Sequence, residues 1–307
     1  MLVLTDELSR WHMRKWLIAA LFFALAAAGI AAQEEEAPTR FAVIGDYGNG
    51  SPSEAAVAEM VLSWEPDFII TTGDNNYNHG EASTIDHNIG QFYHSYIFPY
   101  DGEYGEGAEE TNRFFPSLGN HDWETDGAQP YLDYFTLLGN ERYYDFVEGP
   151  VHLFAVDADF NEPDGIDGDS VQAEWLRGGL EDSTATWQIV YMHMPPYSSS
   201  ATHGSAPIMQ WDYQEWGADA VLAGHDHTYE RIMVDDLVYF VNGTGGQSLY
   251  NFTTPVPGSE FRYNRNFGAM LVEATEQFIT FEFYSVFEGG TLIDSYTIEA
   301  DDSAGSD

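Results

Sequence analysis

The chain has 307 residues and a formal net charge of −41 at pH 7, from 51 acidic and 10 basic side chains. It contains no cysteine, which excludes disulfides, zinc–thiolate sites and cysteine nucleophiles. The negative charge argues against nucleic acids and anionic membranes as partners, while 44 % hydrophobic and 15 % aromatic residues are enough for a folded core.

The N-terminus has the features of an export signal. Arg14 and Lys15 precede an apolar run over residues 16–30, and small residues follow before an acidic stretch. The run is shorter than the about 20 apolar residues of a spanning helix, so cleavage is expected, with an uncleaved membrane anchor as the alternative. The expected organisation is a signal peptide at 1–32, an acidic linker at 33–39, a domain at 40–300 and a disordered acidic tail at 301–307. The protein is then secreted or periplasmic.

The charge balance also predicts a dependence on salt. Lys15, in the expected signal, is the only lysine of the chain. Removal of residues 1–32 takes away three basic and two acidic side chains, so the mature protein would keep 7 basic against 49 acidic side chains, a net charge of −42. At 1 M salt the screening length falls to about 3 Å, and the self-repulsion of such a surface largely vanishes. A salt-loving source is one interpretation; the alternative is an ordinary acidic exported protein.

The first folded stretch follows a strand–helix–strand order. A buried strand is predicted at 40–44, a helix at 53–64 with Ser51 or Ser53 as N-cap, and a second strand at 67–72. This order is typical of two parallel strands joined by a crossover helix.

The middle of the chain continues with short strands and helices. Residues 78–112 are rich in Gly, His, Asn and acidic residues and are interpreted as an active-site loop with a short helix at 89–96. The next predicted elements are a strand at 114–118, a helix at 130–138, a hairpin at 143–157, a helix at 170–180, a strand at 187–192, a helix at 209–216 and a strand at 218–223.

From residue 232 onward the pattern changes to alternating strands. They are predicted at 237–242, 268–274, 278–285 and 291–298, and their alternation favours an antiparallel second sheet.

Five short motifs each follow a β-like apolar run and carry nitrogen or oxygen donors. They are Gly45-Asp46-Tyr47-Gly48, Gly73-Asp74-Asn75-Asn76-Tyr77, Gly119-Asn120-His121-Asp122, Val190-Tyr191-Met192-His193 and Gly224-His225-Asp226-His227. Donors at the carboxyl ends of strands are expected at one edge of a sheet, where α/β proteins place their ligands. Oxygen and imidazole donors without thiolates suit iron, manganese or zinc. Two such ions about 3.5–4 Å apart can clamp a phosphate.

Asp74 and Tyr77 are the most informative pair among these motifs. One carboxylate has two oxygens and can bridge two ions. A tyrosine, with a free pKa of about 10, needs a strongly acidic ion such as ferric iron to bind as phenolate. Taken singly, Tyr77 is typical of core packing; the motifs around it favour a ligand.

In the order of its motifs the chain resembles the calcineurin-like metallophosphoesterases, from about residue 40 to residue 246. Tyr77 makes it most similar to the purple acid phosphatases, in particular the small animal-type enzymes. The resemblance implies an α/β fold of two packed mixed β-sheets flanked by helices, in the four-layer order α/β/β/α. It also implies two metal ions as cofactors.

The family pattern assigns seven ligands. The first ion, ferric in that family, would be held by Asp46, Tyr77 and His227. The second ion, iron(II), zinc or manganese, would be held by Asn120, His193 and His225, and Asp74 would bridge the two.

Two further histidines are assigned to the substrate. His121 matches a family histidine that contacts the phosphate and helps to protonate the leaving group. His203 lies ten residues past His193 and is interpreted as a pocket histidine, with a solvated loop residue as the alternative. Asp122 and Asp226 are expected to bond locally, and the segment 229–231 either supports a ligand or forms a turn. The remaining motif-free histidines are interpreted as structural: His79, His87, His94 and His152.

The implied activity is hydrolysis of phosphate monoesters by attack of a metal-bound hydroxide, in a monomer that takes a small phosphorylated substrate. One alternative is a phosphodiesterase or nucleotidase with the same centre. The other is a non-catalytic acidic exported protein that keeps the fold.

Overall fold

Two mixed β-sheets of six and seven strands form the frame of the protein in a computed structural model that describes residues 37–300. The expected signal peptide, the start of the linker and the tail at 301–307 lie outside the described residues. The strands in chain order are β1 (Thr39–Ile44), β2 (Phe68–Thr71), β3 (Phe114–Pro116), β4 (Tyr144–Glu148), β5 (Val151–Ala155), β6 (Trp187–Tyr191), β7 (Ala220–Ala223), β8 (Tyr229–Val234), β9 (Leu237–Asn242), β10 (Ser259–Tyr263), β11 (Gly268–Ala274), β12 (Phe278–Ser285) and β13 (Thr291–Glu299).

Short helices connect the strands. They are α1 (Pro52–Ser63), α2 (Asn120–Trp123), α3 (Gln129–Tyr134), α4 (Val171–Asp182) and α5 (Tyr213–Trp216). Residues 86–96 form a further irregular helical segment of π, α and 3-10 turns. The N-cap of α1 is Ser51, whose side chain accepts a hydrogen bond from Glu54 N. Within residues 37–300, no helix is long and apolar enough to cross a membrane.

The first sheet has the strand order β13-β12-β11-β1-β2-β3. Strands β1, β2 and β3 are parallel, as the strand–helix–strand pattern predicted, and β11 pairs antiparallel with β1. The second sheet has the order β10-β8-β9-β7-β6-β5-β4, in which β5, β6, β7 and β9 are parallel.

The prediction of an antiparallel second sheet from the C-terminal strands was wrong. Strands β11 to β13 extend the first sheet beside β1, and β9 lies in the second sheet, parallel to β7. Alternation of apolar residues identifies a strand but not its partner. Two strands, β8 and β10, were missed, and the helix predicted at 209–216 is a 3-10 turn (Pro207–Met209) followed by α5.

The core consists of three apolar layers. The inner faces of both sheets pack against each other, with Phe41 and Ile70 from the first sheet and Ile189 and Phe240 from the second. Helix α1 and the segment 86–96 cover the outer face of the first sheet, and α4 and α5 cover the outer face of the second. This confirms the expected four-layer α/β/β/α order.

Candidate active site

The five motifs meet where the carboxyl ends of the two sheets converge. Three motifs follow β1, β2 and β3 in the first sheet, and two follow β6 and β7 in the second. The expectation of one shared sheet edge was therefore too simple. The two edges are joined directly, because His193 Nδ1 donates to Thr72 O at 2.8 Å and His225 N donates to Asp46 Oδ2 at 2.9 Å.

Three of the proposed ligands have a left-handed backbone. The φ angles are 55° at Asp46, 53° at Asp74 and 67° at His225, and a glycine precedes each of them. This conformation costs a non-glycine residue about 1–2 kcal/mol, and such strain is concentrated at functional sites. It turns each side chain sharply at the strand end, into the space between the two sheet edges.

Asp74 lies at the centre of the cluster. Its Oδ2 accepts a hydrogen bond from Tyr77 Oη at 2.7 Å, and its Oδ1 lies 3.3 Å from His193 Nε2. The two oxygens of one buried carboxylate therefore face two different groups of donors.

The first group surrounds the phenol of Tyr77. Its Oη lies 3.2 Å from Asp46 Oδ1 and 3.3 Å from His227 Nε2. His227 Nε2 is also 3.4 Å from Asp46 Oδ1. Three side chains, from the turns after β1, β2 and β7, thus converge on one point.

The second group surrounds His193. Its Nε2 lies 3.1 Å from Asn120 Oδ1 and 3.1 Å from His225 Nδ1. Asp46, Asp74 and His193 are all buried, and each offers a donor atom within 4.8 Å of the others. All seven proposed ligands therefore lie in one continuous cluster with two centres.

Backbone carbonyls fix the histidine tautomers. His193 Nδ1 donates to Thr72 O at 2.8 Å, and His227 Nδ1 donates to Ser248 O at 2.7 Å. Because each Nδ1 donates to a carbonyl, Nε2 is the ring nitrogen that is directed into the cluster. This is the usual way in which a protein prepares a histidine for a metal.

Charges within the cluster are strongly coupled. Burial alone would raise the pKa of Asp74, but the nearby His193 reverses this and holds that pKa well below its usual value. Burial likewise disfavours a charged His193, yet Asp74 raises the pKa of that imidazole to about 10. Burial and the charge of His193 lower the pKa of His225 to about 2, so the neutral ring has one nitrogen lone pair available for a cation.

For Tyr77, in contrast, the surroundings favour the protonated phenol over the phenolate. Burial, together with the charges of Asp74 and Asp46, raises its pKa well above 10. A phenolate at this position therefore requires a cation of high charge to offset two carboxylates.

His121 and His203 contact different residues of the cluster. His121 Nδ1 donates to Asn78 O at 2.5 Å, and its Nε2 lies 3.9 Å from Asp74 Oδ2. The ring of His203 lies 4.0 Å from that of His225, measured between ring centroids. Both rings thus contact ligand residues from the solvent side.

The other histidines bond elsewhere. His87 Nδ1 bonds Tyr104 Oη, His94 Nδ1 bonds Gly90 O, and His152 Nε2 bonds Asp145. His79 contacts Glu124, whose other oxygen lies 3.3 Å from His121 Nδ1. His79 therefore contacts the cluster only through Glu124.

Asp122 and Tyr250 complete the surroundings of the site. Asp122 is buried and accepts hydrogen bonds from the backbone of Asn75 and Gly119, which agrees with its expected local role. The ring of Tyr250 stacks on His227 at 4.0 Å and 14°. Sequence reasoning missed Tyr250, because it lies in a loop after β9 that carries no motif.

Comparison with known proteins identifies the family. A family model described as calcineurin-like phosphoesterase matches residues 39–229. The chain is 28 % identical over 288 residues to purple acid phosphatase 3 of Arabidopsis thaliana, which covers 80 % of this chain and 74 % of that protein. It is 27 % identical over 251 residues to acid phosphatase type 7 of Danio rerio, which covers 70 % of this chain and 53 % of that protein.

A solved structure shares the fold. Purple acid phosphatase PPD1 from seeds of yellow lupin (Lupinus luteus) superposes with a TM-score of 0.69 at 18 % identity, over 87 % of this chain and 55 % of that chain. The chain thus spans about half the length of the lupin and zebrafish relatives. The chain belongs to the calcineurin-like phosphoesterase family, and its curated relatives are purple acid phosphatases, which confirms the predicted family and the predicted class of enzyme, a metal-dependent phosphatase.

Proposed function

We propose that this protein hydrolyses phosphate monoesters at a dinuclear metal centre. The main support for this proposal is the position of Asp74. Its Oδ2 contacts Tyr77 at 2.7 Å, and its Oδ1 lies 3.3 Å from His193. A carboxylate between two donor groups is what a pair of bridged metal ions needs. The family supports the same reading, because its phosphatases act on phosphate esters.

The donor set suits two different ions. In this proposal Asp46, Tyr77 and His227 would hold ferric iron, because only a strongly acidic ion would offset the raised pKa of Tyr77. Neutral oxygen and imidazole donors suit iron(II), zinc or manganese at the second position. Asn120, His193 and His225 would hold this second ion, and Asp74 would serve both.

The chain's own residues orient the ester and handle its protons. Metal ions in such a site supply Lewis acidity and lower the pKa of a water molecule to near neutrality. His121 donates its Nδ1 proton to Asn78 O, so its Nε2 is available to hold a proton for the departing ester oxygen. His203, packed on the ring of His225, orients the phosphate. Tyr250 forms the wall beside His227.

Loss of one proposed ligand tests the assignment. We expect His193→Ala to lower kcat/KM for an aryl phosphate monoester by at least about 100-fold, or about 2.7 kcal/mol. His152→Ala is the matched control, since His152 bonds Asp145 and Ser183 away from the cluster. Equal activity of the two variants would show that the turnover does not belong to this site.

Substrate preference is tested by a pair of esters. We expect the aryl monoester to be turned over faster than the corresponding bis-aryl diester. A large preference for the diester would replace the proposal with a phosphodiesterase or nucleotidase that uses the same centre. No turnover of either ester by the metal-loaded protein would favour the non-catalytic alternative.

The proposal also covers the substrate, the oligomeric state and the removal of the N-terminal segment. The substrate is a small phosphorylated molecule, the enzyme is a monomer, and residues 1–32 are removed on export. Sequencing the N-terminus of the mature protein and measuring its mass in solution test these statements. A mature chain that still begins within residues 1–32, or a stable dimer, would contradict them.

A further inference from the structure

Glu230 is a fully buried carboxylate on β8 whose hydrogen-bond partners are neutral. It accepts hydrogen bonds from Ser199 N at 2.7 Å, from Ser199 Oγ at 2.5 Å and from Ser259 Oγ at 2.6 Å. A buried charge is tolerated only when hydrogen bonds replace its lost hydration. Two of the three bonds go to a single residue of the segment 198–204, here called the His203 loop.

The His203 loop is also tied to the chain beyond β9. Ser199 Oγ accepts from Val256 N at 2.9 Å, and Thr253 N donates to Ser199 O at 2.8 Å. Glu230 therefore fixes Ser199 at the point where two loops and β8 meet.

A second buried carboxylate, Asp226, bonds both ends of the loop. It accepts hydrogen bonds from Ser198 Oγ at 2.6 Å, His203 N at 3.2 Å and Gly204 N at 3.0 Å. Asp226 lies between two proposed metal ligands in the chain, whereas Glu230 lies outside the metal-binding turn. Glu230 is consequently the carboxylate whose role can be tested without altering a residue next to a ligand.

We propose that Glu230 is a positioning residue, which sets the His203 loop so that the imidazole of His203 faces the substrate. The inference rests on the proposed function, in which His203 orients the phosphate. A neutral apolar residue would fill the same space without the cost of burying a charge. What the carboxylate adds is the ability to accept three hydrogen bonds and so to fix Ser199, four residues before His203, in one place.

A double-mutant cycle tests whether Glu230 acts through His203. The variants are Glu230→Gln, His203→Ala and the combination, assayed with an aryl phosphate in the full-length, metal-loaded protein. We expect Glu230→Gln to lower kcat/KM about tenfold in the parent and to have no further effect in the His203→Ala background, because residues that act through one another are not additive. A tenfold loss in both backgrounds would show a general structural role and overturn the proposal.

The matched control is Glu260→Gln, a partly exposed carboxylate on β10 that pairs with Arg231. We expect it to leave kcat/KM unchanged. Metal content is measured on every variant, and we expect it to stay the same in Glu230→Gln. Loss of metal in that variant would also overturn the proposal, because the effect would then act on the centre itself.

Hydrogen exchange gives a readout that does not depend on activity. Glu230→Gln is expected to speed exchange of the amides of Ser199, His203 and Gly204, and to leave β6 (Trp187–Tyr191) unchanged. If the parent enzyme turned over no phosphate ester, the proposed function would fail, while this experiment would still decide whether Glu230 holds the loop. Unchanged exchange in the loop contradicts the inference. Should Glu230→Gln not fold, Ser259→Ala, which removes one of the three bonds, is judged by the same readouts.

Discussion

At the scale of single residues, the site depends on glycines that allow unusually close approach. A Cβ atom on Gly119 would lie 2.2 Å from Asp74 N and 2.3 Å from Asp74 Oδ1. A Cβ atom on Gly73, where φ is +85°, would meet the ring of His193. These contacts explain why glycines stand in the motifs of β2 and β3: a side chain at Gly119 would occupy the place of the Asp74 carboxylate, and one at Gly73 would occupy the place of the His193 ring.

Gly119→Ala tests this crowding. We expect the new methyl group to displace Asp74 and to lower kcat/KM for an aryl phosphate by at least about 100-fold, with a loss of bound metal. The control is Gly178→Ala in α4, where an added Cβ meets nothing within 4 Å; removal of a helical glycine there should stabilise the protein by about 0.5–1 kcal/mol. Full activity and metal content in Gly119→Ala would contradict the geometry.

Glu54 predicts a pH dependence of stability. Burial raises its pKa to about 8, although Asn49 N and Gly50 N donate to its Oε2. Because the folded state binds this proton more tightly, the stabilisation is complete below pH 4.5 and is lost as pH rises through about 8. We expect the free energy of unfolding to fall by up to about 1.4 kcal/mol per pH unit in this window.

Glu54→Gln isolates that contribution. The difference in free energy of unfolding between the parent and the variant, measured by denaturant titration at fixed salt, should change steadily from pH 5 to pH 8 in favour of the variant. A difference that is constant across the range would show that Glu54 titrates normally.

At the scale of elements, the sequence predicted the strands that deliver ligands better than it predicted their partners. Periodicity placed β1, β2 and the strands before His193 and His225 correctly, because their apolar runs are continuous and buried on both faces. It placed α1 through its helical spacing and its N-cap serine. It could not show that these strands belong to two sheets, since pairing depends on distant contacts such as β1 with β11.

Strand β8 shows most clearly what the sequence pattern could not predict. It begins Tyr229-Glu230-Arg231, and two charged residues in succession resemble a turn. In the structure each charged residue has its own partners. Glu230 accepts hydrogen bonds from serines, and Arg231 pairs with Asp294 and Glu260. The residues proposed as ligands could be singled out because each lies in a short motif after a strand. Neighbours such as Glu230 and Tyr250 could not, because their partners lie on other loops.

Asp122 connects two elements of the site, and its removal should loosen both. It joins the N-terminus of α2 to the turn after β2 through bonds from Gly119 N, Asn75 N and Asn75 Nδ2. We expect Asp122→Ala to lower the free energy of unfolding by about 2–4 kcal/mol, since several buried donors lose their acceptor. Asp133→Ala, at an exposed carboxylate in α3, should change it by less than about 0.5 kcal/mol. Equal effects in denaturant titrations would contradict this role.

At the scale of the whole molecule, the outstanding property is the net charge of −41. Few basic side chains are available to compensate it: Arg231 pairs with both Asp294 and Glu260, and Arg142 pairs with both Glu162 and Asp164. A protein with this surface is destabilised by its own repulsion in dilute buffer. The proposed metal centre supplies a local positive charge, which lets an anionic substrate approach.

A salt series tests the cost of this charge. We expect the free energy of unfolding to rise by several kcal/mol between about 0.1 M and 2 M NaCl, because the screening length falls from about 10 Å to below about 3 Å. Most of the gain should come below about 1 M, where screening changes most. Equal stability in dilute buffer and in molar salt would contradict the salt-dependent interpretation and favour an ordinary acidic protein.

The most direct test of the dinuclear centre is a visible absorption spectrum of the purified full-length protein, with metal analysis of the same sample. The account predicts about two metal ions per chain and a broad visible band from a ferric–phenolate bond at Tyr77, lost in Tyr77→Phe. A colourless protein with two zinc or manganese ions would contradict the assignment of Tyr77 and ferric iron. A protein that binds no metal under any reconstitution would contradict the phosphatase proposal as a whole.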